Sequence, residues 1–167
     1  MNRAPVVTER IPSGGHKSLD AAGPVIEALK RVLADTAILQ LKTHAFHWNV
    51  RGVQFFQLHQ AFQTQYEALF ETVDELAERV RALGAIAPGS FAEFLKLTVI
   101  QEAADQQRLS ASDMVGTLAQ DHRALEHRCR EALKAAQAAG DEATADLMIG
   151  RMEYHDKTAW MLDSWLE

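Results

Sequence analysis

The chain reads as an all-α protein: one four-helix bundle whose second and third long helices are joined by a long crossover. Three observations predict this. Apolar residues recur every three or four positions through four long windows. The body is rich in Ala, Leu, Glu and Arg with only 7% aromatics, the composition of helix. The four prolines, Pro5, Pro12, Pro24 and Pro88, lie outside the windows or at their edge. A length of 167 residues suits one domain with a sizeable core, and 47% hydrophobic residues is ordinary for a globular chain. No apolar run approaches the ~20 residues of a membrane span. The N-terminus lacks the basic-then-apolar build of a secretory signal. A single cysteine, Cys129, excludes an internal disulfide framework and suits a reducing cytoplasm. The net charge of −6 argues against a generally basic nucleic-acid surface and suits the attraction of cations.

Residues 1–20 carry Pro, Gly and Ser without helical period and read as a flexible arm; residues 21–167 form the bundle. Pro24 suits the first turn of the first helix. Its stripe is Ile26, Leu29, Leu33, Ala37, Leu41, His44 and Trp48, and Gly52 stops it. The second helix starts near Phe55. Its stripe is Leu58, Phe62, Tyr66, Leu69, Val73, Leu76, Val80 and Leu83, closed by Gly84. Residues 85–109 make the crossover, and Ser90 with Glu93 has capping-box form for a short helix over 91–97. About 25 residues can run the length of a bundle, which two parallel helices require and a hairpin does not. The third long helix runs from about Ser112 to Gly140 with Val115, Leu118, His122, Leu125, Cys129 and Ala132 inward. Asp141 caps the fourth, which turns Ala145, Met148, Met152, His155, Ala159 and Leu162 inward. The very short third connection makes these two antiparallel, and the whole has ferritin-like connectivity.

Chemistry concentrates between Leu41 and Glu78. His44, His47 and His59 fall in one stretch, and Asp74 and Glu78 share a face of the second helix. His59 and Asp74 are fifteen residues apart, roughly 22 Å on a straight helix, and ligand-to-metal bonds are about 2.0–2.2 Å. They cannot hold one ion within one chain. Two readings follow. In one there is no site: the histidines are hydrogen-bonded core residues and the carboxylates a solvated face. In the other, two copies of the second helix cross antiparallel near residues 67–69. His59 and His47 of one chain then meet Asp74 and Glu78 of its partner, in two sites per dimer. Such mixed N/O ligation suits Fe(II), and also Mn or Zn. The Glu-x-x-His pairs of an intra-bundle di-iron centre are missing: Glu126–His127 and Glu153–His155 have the wrong spacing.

The run His47-Trp48-Asn49-Val50-Arg51-Gly52, followed by Phe55 or Phe56, His59 and Asp74-Glu75-Leu76-Ala77-Glu78-Arg79, resembles the signature of the Dps family. These are mini-ferritins named as DNA-binding proteins from starved cells. Asp141-Glu142-Ala143-Thr144-Ala145-Asp146 and His155-Asp156-Lys157-Thr158-Ala159-Trp160-Met161-Leu162 are similar to the family's last helix. The likeness covers residues 25 to 167. It implies a hollow homododecamer with ferroxidase centres at the dimer two-fold, taking His47 and His59 from one subunit and Asp74 and Glu78 from the other. It implies iron as substrate, oxidised from Fe(II) to Fe(III) with hydrogen peroxide and stored as ferric mineral. Gln63 departs from the acidic residue of many relatives one turn after the second histidine. A weaker amide ligand there puts the second of two irons in question. Gln60 likewise supplies no carboxylate for nucleation.

The resemblance makes Trp48 a sink for stray oxidising equivalents; interface packing explains it as well. It sets Asp141, Glu142 and Asp146 at an ion pore on a three-fold axis, although capping and the helix dipole also account for the first two. His44 faces either a dimer seam or the core, His122, His127 and His155 are structural, and Cys129 is an inert buried thiol. The family name invites DNA binding, for which the arm offers Arg3, Arg10 and Lys17 to phosphates, opposed by Glu9 and Asp20, so the residues support it weakly. Three functions compete: peroxide-consuming iron oxidation and storage, a nucleoid-associated DNA-binding shell with incidental oxidation, and binding of another divalent metal without turnover.

Overall fold

The computed structural model describes residues 19–103 and 109–167; Arg3, Arg10 and Lys17 lie outside them. The described residues form five helices and no strand: α1 (Leu19–Asn49), α2 (Phe55–Ala82), α3 (Phe91–Leu97), α4 (Ala111–Ala138) and α5 (Glu142–Leu166). Their ends follow local chemistry. Ser90 and Glu93 close a capping box on α3, as the sequence predicts. A second box, Ser110 with Asp113, starts α4 slightly before the expected Ser112. Asp141 caps α5 through the Thr144 amide. Gly84 and Gly140 end α2 and α4 with φ of 90° and 60°, the left-handed region that only glycine enters freely.

Polar contacts set the register. Lys42 of α1 bonds Asp121 of α4 at 2.5 Å, and Arg128 of α4 reaches back to Asp35 of α1 at 3.2 Å. Those two pairs make α1 and α4 antiparallel. Arg79 bonds Thr144 at 2.8 Å and Arg151 bonds Thr72, which make α2 and α5 antiparallel as well. Since α1 and α2 form a hairpin, α2 and α4 run parallel and the crossover is obligatory. Buried Asp35 anchors that crossover: its Oδ1 accepts from Thr98 Oγ1 and from the Val99 amide, each at 2.7 Å.

The core is one cluster drawn from all four long helices, including Leu29, Phe46, Phe62, Leu69, Leu118 and Met148. Every predicted inward residue of α4 is buried, and so are those of α5 except half-buried Met152. Two expectations for α1 fail. The helix reaches back to Leu19, so Pro24 lies inside it rather than in its first turn. The second half of its stripe is also out of phase. Leu39, Thr43, Phe46 and Val50 are buried, whereas Leu41 and Trp48 are exposed and His44 is half-buried. This helix is apolar on two faces, and periodicity cannot choose which one its own chain covers.

Candidate metal centre

The α1–α2 hairpin builds the first half of the site. The Val50 amide bonds Phe46 O at 2.8 Å and the Phe55 amide bonds Gly52 O at 3.1 Å, with Gly52 at φ 113°. This tight corner folds α2 back along α1 and brings His59 onto His47. The two imidazoles stack with centroids 3.7 Å apart and planes 22° apart. They are locked reciprocally: His47 Nδ1 bonds the His59 carbonyl at 2.8 Å, and His59 Nδ1 bonds the His47 carbonyl at 2.8 Å. A carbonyl oxygen only accepts, so each Nδ1 carries a hydrogen, which leaves Nε2 as the nitrogen of each ring that can bind a metal. Metal-binding histidines are oriented by this kind of backbone partner.

Rings pack around the pair. Phe55 stacks on His59 at 4.9 Å, and Tyr66 meets His47 edge-on at 5.2 Å. His44 stacks on Tyr66 at 3.9 Å and lies 4.1 Å from Trp48. Partial burial, then the neighbouring His47, lower the His44 pKa below its ordinary value. His44 therefore belongs to a half-exposed ring row, not to the core. Tyr66, read in the sequence only as part of an apolar stripe, is a structural member of this row. Its spacing of two helical turns from His59 was the available signal.

Asp74 and Glu78 lie elsewhere. Both are exposed on α2, and with Glu71, Glu75, Arg151 and Tyr154 they line a groove between α2 and α5. Helix α2 is unbroken from Phe55 to Ala82, so the roughly 22 Å rise from His59 to Asp74 stands. The structure brings His47 and His59 together and leaves the carboxylates apart. Among the described residues no three His, Cys, Asp or Glu side chains stand close enough to hold a metal ion. Gln63 donates its amide to Glu67 Oε1 at 2.8 Å. Asp141 bonds Arg79 at 2.6 Å as well as capping α5, while Glu142 and Asp146 are exposed. His122 and His155 are buried, His127 is exposed, and Cys129 is a buried free thiol. Trp48, Phe56 and Phe70 are 60%, 81% and 63% exposed, so aromatic surface lies beside both half-sites.

A model of the ferritin-like domain matches residues 26–167. The "DNA protection during starvation protein 2" of Bacillus anthracis is 37% identical over 85% of this chain and 96% of its own length. The chain belongs to the Dps family of ferritin-like proteins. An uncharacterized low temperature-induced protein of Nostoc is 42% identical over 86% of this chain and 80% of its own. The crystal structure of Dps from Vibrio cholerae, described as a member of a broad superfamily of ferritin-like diiron-carboxylate proteins, superposes with a TM-score of 0.85. It is 33% identical, covering 89% of this chain and 92% of that one. As in the sequence reading, this Dps chain is a bundle with one crossover carrying a short helix. No helix among its described residues is long and apolar enough to cross a membrane.

Proposed function

We propose that this chain oxidises and stores iron at centres shared between two subunits, within a hollow homododecamer. One observation carries the reading. Two imidazoles are locked with free Nε2 atoms at one end of α2, and two exposed carboxylates wait about 22 Å along the same helix. An antiparallel two-fold crossing of α2 between copies joins His47 and His59 of one subunit to Asp74 and Glu78 of the other. The exposed Trp48, Phe56 and Phe70 supply apolar area for that crossing. Two neutral nitrogens with two anionic oxygens suit Fe(II), the substrate.

The residues' task is to bind and place Fe(II). Hydrogen peroxide takes two electrons, one from each of two ferrous ions, and its O–O bond breaks. With two waters the products are two ferric oxyhydroxide units and four protons. Paired delivery of electrons avoids the one-electron cleavage that yields hydroxyl radical. Gln63, an uncharged amide engaged with Glu67, makes the second iron position the weaker one. The single cysteine suits a reducing, cytoplasmic place of work. Anaerobic Fe(II) titration followed by peroxide is the test. The expected result is a rise in ferric absorbance upon peroxide, lost in His59→Ala while the shell still assembles. Binding of Fe(II) without any ferric rise would instead support metal binding without turnover.

A further inference from the structure

Far from the iron ligands, the centre of the bundle holds a second histidine pair. His122 of α4 and His155 of α5 are both fully buried, and their Nδ1 atoms are 2.8 Å apart. Two facing ring nitrogens can share that distance only if one carries a hydrogen and the other does not. Among the described residues His122 Nε2 has no hydrogen-bond partner. The pair crosses the α4–α5 seam, the most extensive helix–helix contact in the fold.

Among the described residues no carboxylate acts on either ring to accommodate an added proton. On α4, Asp121 is the next residue, but it is bonded to Lys42 of α1 at 2.5 Å. Glu126, one turn on, is bonded to Arg130. Cys129 is a neutral thiol, pushed up to about 12 by burial. On α5, Arg151 is a cation one turn before His155, and burial holds the Tyr154 hydroxyl neutral. From α2, the Arg151–Thr72 and Arg79–Thr144 bonds place Gln65 opposite Thr158, one turn from His155. Gln65, Thr72 and Thr158 are uncharged. Arg151, bonded to the neutral Thr72 hydroxyl, opposes a charged imidazole at His155.

We propose that His122 and His155 form an acid-sensitive clasp: one shared hydrogen joins α4 to α5 at neutral pH, and proton uptake opens the bundle along this seam. The first added proton keeps the N–H···N bond but sets an uncompensated imidazolium in a dry core beside Arg151. The second makes both Nδ1 atoms donors, and the bond cannot exist. Burial lowers His122 from 6.5 to about 3, and burial first, then His122 and Arg151, lower His155. Both groups are depressed in the folded state, so the unfolded chain binds more protons. The clasp is intact above pH 6.5 and its contribution is lost as pH falls from there toward the folded values.

The test uses the full-length assembled protein at one fixed concentration, with denaturant unfolding followed by tryptophan fluorescence between pH 7.5 and 4. Wild type is compared with His122→Leu/His155→Leu. Two protons taken up on unfolding change the folded-to-unfolded ratio about 100-fold per pH unit. The double variant should lose that share, so its advantage over wild type widens as pH falls. If the double variant does not fold, His155→Gln alone, which keeps a polar side chain, should remove about 10-fold per pH unit. Parallel pH profiles for variant and wild type overturn the proposal. So do nitrogen NMR signals of a doubly protonated pair at pH 7.

Discussion

A mixed-subunit experiment tests the sharing of ligands between chains. His59 and Asp74 sit fifteen residues apart on an unbroken helix, roughly 22 Å, so a single subunit cannot use both on one ion. Consider one subunit type with His59→Ala and another with Asp74→Ala. Each alone forms dimers with a defect in both centres and should show little ferroxidation. In a mixed dimer the two lesions fall together in one centre, and the other centre receives an intact His59 and an intact Asp74. Random pairing in equal amounts makes about half the dimers mixed, each with one working centre of two, so about one quarter of wild-type centres return. Co-expression of two differently tagged subunits, purification over both tags and stopped-flow measurement of peroxide-driven ferric absorbance gives the readout. Recovery indistinguishable from zero, in shells shown by native mass spectrometry to contain both subunits, would refute the cross-chain site.

Asp35→Ala removes the acceptor shared by Thr98, Val99 and Arg128, and should cost about 3 kcal/mol. A lower urea midpoint at unchanged m-value checks it, and an unchanged midpoint counts against the anchor. Cys129, with its thiol near 12, holds about one part in ten thousand as thiolate at pH 8. A thiol reagent should therefore leave the native protein unlabelled and modify it only after denaturation. Gln63→Glu restores an acidic side chain one turn after His59; anaerobic titration should show tighter occupancy of the second metal position, and identical isotherms would remove Gln63 from the site. Deleting residues 1–20 takes away Arg3, Arg10 and Lys17, so any DNA retardation should vanish while iron oxidation persists. Retardation that survives the deletion would move DNA binding onto the bundle.

Much of this molecule is local, and local signals survive in a linear text. Ser90 with Glu93, Asp141, Gly84 and Gly140 act within one turn of their own helix, so the helix ends could be read directly. Helices α4 and α5 have one apolar face each, so their buried residues could be read too. The ligand types and their spacing along α2 also follow from the sequence, because helix rise is a constant. Three-dimensional packing decided the rest. On α1 the row Leu41, His44 and Trp48 has the same period as the buried Leu39, Phe46 and Val50, and only the placement of α2 and α4 selects between them. The lock between His47 and His59 runs through backbone carbonyls, which every residue possesses, so side-chain identity carries no trace of it. Asp35 reaches Thr98 and Val99, and His122 reaches His155, across long stretches of chain. Such pairings depend on register between helices, a quantity that exists only once the bundle has closed.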